Sequence, residues 1–100
     1  MIYITQLIYL IEGQEEVFEQ FEEITISTIA KHNGRLTLRI RPTEQSIIEG
    51  SMETPYEIHL VEFDSQKDFD AFKNDEERKS VLHLKEKSIK SSLLIQGTKR

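Results

Sequence analysis

Cysteine and tryptophan are both missing from the 100 residues. Without cysteine there is no structural disulfide, no thiolate nucleophile, no zinc–thiolate site and no redox dithiol. No lysine or arginine precedes Lys31, so the basic opening of a secretory leader is not expected. Long apolar runs are scarce too. The longest, Leu7 to Ile11, is far short of the ~20 residues that a membrane-spanning helix needs. Positive charge is in deficit: 13 Lys and Arg stand against 18 Asp and Glu, for a net charge of −5. A nucleic-acid partner would need the opposite sign to neutralise phosphates. His32, His59 and His83 lack metal-ligand spacing, and neither a glycine-rich phosphate loop nor a nucleophile elbow occurs. The expectation is a cytoplasmic protein with no metal, no cofactor, no nucleic-acid partner and no membrane span.

What remains is one domain, residues 1–100, with ordinary globular composition. Ile2 to Ile11 is rich in β-branched and aromatic residues and reads as a strand. Ile2, Ile4, Gln6, Ile8 and Leu10 form one face; Tyr3, Thr5, Leu7, Tyr9 and Ile11 form the other. Both faces are largely apolar, as in a central strand covered on two sides. After Gly13, the residues Val17, Phe18, Phe21, Ile24, Thr25, Thr28 and Ile29 recur at helical steps. The glutamates from Glu12 to Glu23 read as a solvated face, and Asn33-Gly34 reads as the helix stop. Arg35 to Arg41 is the second strand, with Leu36, Leu38 and Ile40 opposite Arg35, Thr37, Arg39 and Arg41. Tyr56 to Asp64 is the third, with Tyr56, Ile58, Leu60 and Glu62 opposite Glu57, His59, Val61 and Phe63. Ser65 and Asp68 open a second helix, which breaks near Asn74-Asp75 and resumes to about Lys87. Leu93 to Gln96 is the last strand.

Two strand–helix–strand units give an α+β, ferredoxin-like βαββαβ fold, an antiparallel sheet with two helices on one face. The other face would then be bare. Tyr3, Leu7, Tyr9 and Ile11 of the first strand, with Val61 and Phe63 of the third, would form an apolar patch, and such patches mark interfaces. A homodimer closed sheet to sheet, a dimeric α+β barrel, follows as the expectation. The acidic start of the first helix and the basic end of the second should lie on the same side and complement each other.

Several short stretches carry a likeness. Gly34-Arg35, Glu49-Gly50, Val61-Glu62-Phe63-Asp64-Ser65, Phe72-Lys73-Asn74 and Ile95-Gln96-Gly97 resemble a bacterial domain-of-unknown-function family of the dimeric α+β barrel superfamily. That resemblance implies the fold and the dimer and no established activity. The superfamily includes antibiotic-biosynthesis-type monooxygenases, haem-degrading enzymes and isomerase-like or dehalogenase-like members. Their ligands lie between sheet and helices, and its haem-degrading members pair a strand-one amide with a helix-two histidine.

The candidate site follows from alternation. If Ile8 pairs with Leu60, Gln6 meets Glu62, and both face the helices. A carboxylate there needs a partner. Lys85 would neutralise it into an inert structural pair; His83 would leave a titratable acid–base couple. Glu62 and His83 are thus the catalytic candidates, and Gln6, Tyr56, Phe72 and Lys85 the ligand-binding ones. His59, beside Arg39, Arg41 and Glu57, reads as part of a polar barrel interior at the dimer interface. Three functions stay open. One is a module binding a small apolar or aromatic metabolite in the sheet–helix cleft. Another is a cofactor-independent monooxygenase or proton-transfer enzyme. The third is a structural interaction domain with a filled cleft. A cavity of roughly 300 Å³ or more would favour the first two.

Overall fold

The computed structural model describes residues 1–98. The strands are β1 (Ile2–Leu10), β2 (Gly34–Ile40), β3 (Glu57–Phe63) and β4 (Ile89–Thr98). The helices are α1 (Glu15–Ile29), α2 (Gln66–Lys73), α3 (Glu76–Lys79) and α4 (Leu82–Ser88). The strand order is β2-β3-β1-β4, and every pairing is antiparallel. This is the expected βαββαβ arrangement, with the helices packed as one layer on one face.

Local chemistry sets the boundaries. Gly13 takes φ 85° between β1 and α1. A single 3₁₀ turn, Ala30–His32, follows α1, and Asn33 at φ 55° makes the left-handed stop. Ser65 caps α2 by accepting from the Asp68 N–H. The expected break lies at Asn74-Asp75, where Asp75 caps α3 by accepting from the N–H groups of Glu77 and Arg78. A further break at Ser80-Val81 separates α3 from α4. The last strand is longer than its apolar stretch suggested, because its N-terminal half pairs with β1 as far as Leu10.

The core lies between the layers. Ile2, Ile4, Ile29, Val61, Phe63, Phe69 and Phe72 form its main cluster, flanked by Ile26 and Leu36. Hence β3 turns Glu57, His59, Val61 and Phe63 toward the helices, and its other face carries Ile58, Leu60 and Glu62. This reverses the expected side of the strand. Gln6 pairs with His59, not Glu62, and Glu62 pairs with Tyr3. Ile8 pairs with Glu57 in place of the expected Leu60, a three-residue change of register, and any odd shift moves every side chain to the other face. Val61 and Phe63 therefore leave the expected apolar outer patch.

A second reversal occurs in β2. Its register against β3 shifts between Leu36 and Leu38, as at a β-bulge. Leu36 opposite Val61 faces the helices, whereas Leu38 opposite Leu60 and Ile40 opposite Ile58 face outward. Arg39 turns in with His59. The outer face of the sheet then shows Leu38, Ile40, Leu60, Leu93 and Ile95, each at least a third exposed, beside Tyr3 and Leu7.

The Ile11 N–H donates to the Ser88 carbonyl at 2.8 Å, so the start of α1 and the end of α4 share one side of the domain, as expected. The expected charge complementarity does not take the form of ion pairs among the described residues. Lys90 instead reaches Glu53 at 3.1 Å.

Gly34 is the tightest point of the packing. A Cβ there would lie 2.5 Å from the Phe63 ring and 2.8 Å from Ile29. Gly34→Ala should therefore destabilise the fold by about 1–3 kcal/mol. Thermal unfolding should register this as a drop of about 4–8 °C per kcal/mol for a domain of this size. An unchanged melting temperature would contradict the packing of β2 on Phe63.

Candidate functional site

Beneath α1, the helix-facing end of β3 carries charge. Glu57 is fully buried. Its carboxylate accepts from Arg39 Nε at 2.9 Å, Arg41 Nε at 3.0 Å and His59 Nε2 at 2.5 Å. The β2 bulge makes this possible, because it turns both arginines inward. Arg39 and Arg41 also reach Glu19 on α1. Burial alone would push the Glu57 carboxyl up, but the bonds from His59, Arg39 and Arg41 outweigh it and hold the group down at about 2.

Glu22 stands next to this network. It shares the buried face of α1 with Phe18, Phe21 and Ile29, and only 4% of it is exposed. The expectation of a solvated glutamate face fails at this residue. Glu22 follows Phe18 by four residues and precedes Ile29 by seven, so helical periodicity places it inward. Its carboxylate lies 3.6 Å from His59 Nε2. Burial pushes its pKa up to about 7; attraction to His59 opposes that, and repulsion from Glu57 adds to it.

Between sheet and helices lies a cavity of about 220 Å³. It falls short of the roughly 300 Å³ at the lower end of ligand pockets, and so of the size expected to favour a bound molecule. Phe21, Ile26, Phe69, Phe72 and Leu94 make much of its apolar lining, and Gln6, Glu22, Thr25, His59, Arg78 and Lys85 bring polar atoms to it. Arg78 is aimed by the Asp75 cap, itself bonded to His32 at 2.7 Å. Its guanidinium lies 5.2 Å from the centre of the Phe72 ring, and one terminal nitrogen donates to the Lys73 carbonyl. Its Nε and the Thr25 hydroxyl are buried with no hydrogen-bond partner among the described residues. Burial first, then the nearby Arg78 charge, lowers the Lys85 pKa.

Three of the residues expected at the site are therefore brought together: Gln6, Phe72 and Lys85 all line this cavity. Tyr56 is not part of the lining; it packs edge-on against Phe18 and under Arg41. Glu62 lies on the opposite sheet face, bonded to Arg35 at 2.7 Å, so neither the pair with Lys85 nor the couple with His83 forms. His83 is exposed on α4. The register explains both corrections. His59, placed by sequence in the barrel interior, is instead on the cavity wall. Glu22 and Arg78 were missed, although the helical spacing of Glu22 from Phe18 was a usable signal.

Glu22, Glu57 and His59 bring their ligand atoms within 4.8 Å of one another. The grouping suits a metal ion poorly. Glu57 is already bound by two arginines, whose charge a dication would have to displace.

The two glutamates imply opposite pH effects. The folded pKa of Glu57 is depressed, so its stabilisation is present above the ordinary carboxylate value and is lost as pH falls toward 2. The folded pKa of Glu22 is raised, so its share is present below the ordinary value and is lost as pH rises through 7. The contribution of these two groups should peak at about pH 4.5 and fall by on the order of 3 kcal/mol by about pH 8. Glu22→Gln should flatten the alkaline limb in melts followed against pH. An unchanged limb would contradict the burial of this carboxyl.

No protein-family model matches the sequence, and no curated protein does. Solved structures do. The methylated RPA0582 protein of Rhodopseudomonas palustris superposes with a TM-score of 0.84 at 14% identity, over 99% of this chain and 80% of that one. A putative antibiotic biosynthesis monooxygenase from Nitrosomonas europaea gives 0.76 at 7% identity, over 99% and 98%. A dimeric protein of unknown function and ferredoxin-like fold from Bacteroides fragilis gives 0.69 at 16% identity, over 96% and 93%. Identities this low carry the fold alone, and the fold they share with this chain is ferredoxin-like.

Proposed function

We propose that the protein binds a small molecule with an apolar or aromatic body in the cleft between sheet and helices, as a homodimer joined through the bare sheet face. One observation carries the ligand reading. The cavity is mostly apolar, yet polar and charged residues line it together, and two of them, Thr25 and Arg78, each hold a buried atom with no partner among the described residues. Buried polar atoms are normally satisfied, and an unpaired one costs about 1–3 kcal/mol. A filled structural core would have no reason to hold them. The dimer reading rests on Leu38, Ile40, Leu60, Leu93 and Ile95, which leave one sheet face apolar and open. A dimeric protein of the same fold stands among the structural neighbours.

A second reading is favoured by Glu22 alone. A carboxyl with a pKa of about 7, in the cavity wall and 3.6 Å from His59, is suited to moving a proton at neutral pH. On this reading Glu22 replaces Glu62 as the base, and the reaction is a proton transfer on the bound molecule.

Two experiments test these statements. Fragment titrations followed by NMR should shift resonances of Gln6, Thr25 and Phe72. Thr25→Phe, which fills the cavity, should abolish the shifts and keep or raise the melting temperature. Shifts confined to the outer sheet face, or binding undisturbed by Thr25→Phe, would contradict the cleft reading. Sedimentation at micromolar concentration should give twice the 11.7 kDa chain mass. A soluble monomer under those conditions would remove the dimer.

A further inference from the structure

Arg78 on α3 and Lys85 on α4 both reach the cavity. They are like charges close enough that Arg78 disfavours the charged form of Lys85. Among the described residues neither has a carboxylate within ion-pair distance, whereas Arg35, Arg39 and Arg41 each have two. Both are partly buried, so solvent does not fully replace the missing partner. Half-burial beside a mostly apolar cavity disfavours both charges, and the Glu22 and Asp75 carboxylates offset only part of that at Arg78. An anion would reverse that.

The guanidinium geometry narrows the choice. One terminal nitrogen of Arg78 is committed to the Lys73 carbonyl, and the Phe72 ring covers a face of the group. The unpartnered Nε lies on the side edge of the guanidinium. Packing closes that Nε off, so the other terminal nitrogen, which has no hydrogen bond among the described residues, is the donor left for an oxygen of an anion such as a carboxylate. We infer that Arg78 and Lys85 form an anion subsite in this cleft, and that the ligand is a small carboxylate whose apolar or aromatic body packs against Phe72 and Leu94. This rests on the cleft reading above and adds the ligand's charge to it. Glu22 shares the cavity and does not forbid an anion, because its own carboxyl takes up a proton near neutral pH.

The test compares benzoate with benzamide, which has the same shape and no charge, by NMR titration of the whole chain. Benzoate should bind about ten-fold or more tightly than benzamide. Arg78→Gln, which keeps the length of the side chain, and Lys85→Met should each bring the two ligands within roughly three-fold of one another. Should Arg78→Gln fail to fold, Lys85→Met carries the test alone. Equal affinities in the wild-type chain, or a preference that survives both substitutions, would overturn the anion subsite and leave the cleft standing. Failure of both molecules to perturb Gln6 and Thr25 would overturn the cleft reading and the subsite together.

Discussion

The fully buried carboxylate of Glu57 is the constraint to which the rest of the site answers. A buried charge is tolerated only when it is paired and fully hydrogen-bonded. Three cationic or proton-bearing groups meet that demand, and two of them, Arg39 in β2 and Arg41 just past its end, would point outward without the register shift. The bulge in β2 is what turns Arg39 and Arg41 inward. It also turns Leu38 and Ile40 out. One irregularity in one edge strand thus supplies both the polar floor of the cleft and part of the bare face on the other side of the sheet.

The same network sets the chemistry above it. Glu57 receives the hydrogen bonds of His59, Arg39 and Arg41, and Glu22 keeps only a longer-range attraction to His59 and Arg39. Glu22 is left buried and short of partners, which is why its carboxyl holds a proton to near neutrality. Two carboxylates one strand-to-helix step apart thereby have pKa values on opposite sides of the ordinary range. Environment divides them, since the residue type is the same. Farther out, the broken second helix gives the cleft its cations. An unbroken helix would have carried Arg78 along the α2 axis; the Asp75 cap restarts the chain and directs Arg78 over Phe72.

The architecture was legible in the sequence because it depends on coarse signals. Gly13, Asn33, Ser65 and Asp75 mark their boundaries by chemistry that acts within a few residues. The central place of β1 follows from its two apolar faces. The site was less legible, for a reason that lies in β3. Tyr56, Ile58 and Leu60 on one face balance Val61 and Phe63 on the other, so hydropathy does not say which face meets the helices. That choice is made by long-range pairing with β1, and it decided the fate of Glu62 and His59 together. Gln6, Phe72 and Lys85 escaped the ambiguity because their placement depends on β1 and on the helices. The bulge was hidden as well, since the even alternation of Leu36, Leu38 and Ile40 gives no sign of a register shift.

The ligand proposed for the space between sheet and helices is a small apolar carboxylate. A crystal structure obtained with 4-bromobenzoate addresses it most directly, because the bromine can be located by its anomalous signal. The bromine should lie among Phe21, Phe72 and Leu94, with the carboxylate turned to Arg78 and Lys85. A cavity without bromine, or bromine seated only on the outer face beside Leu38 and Leu60, would contradict it.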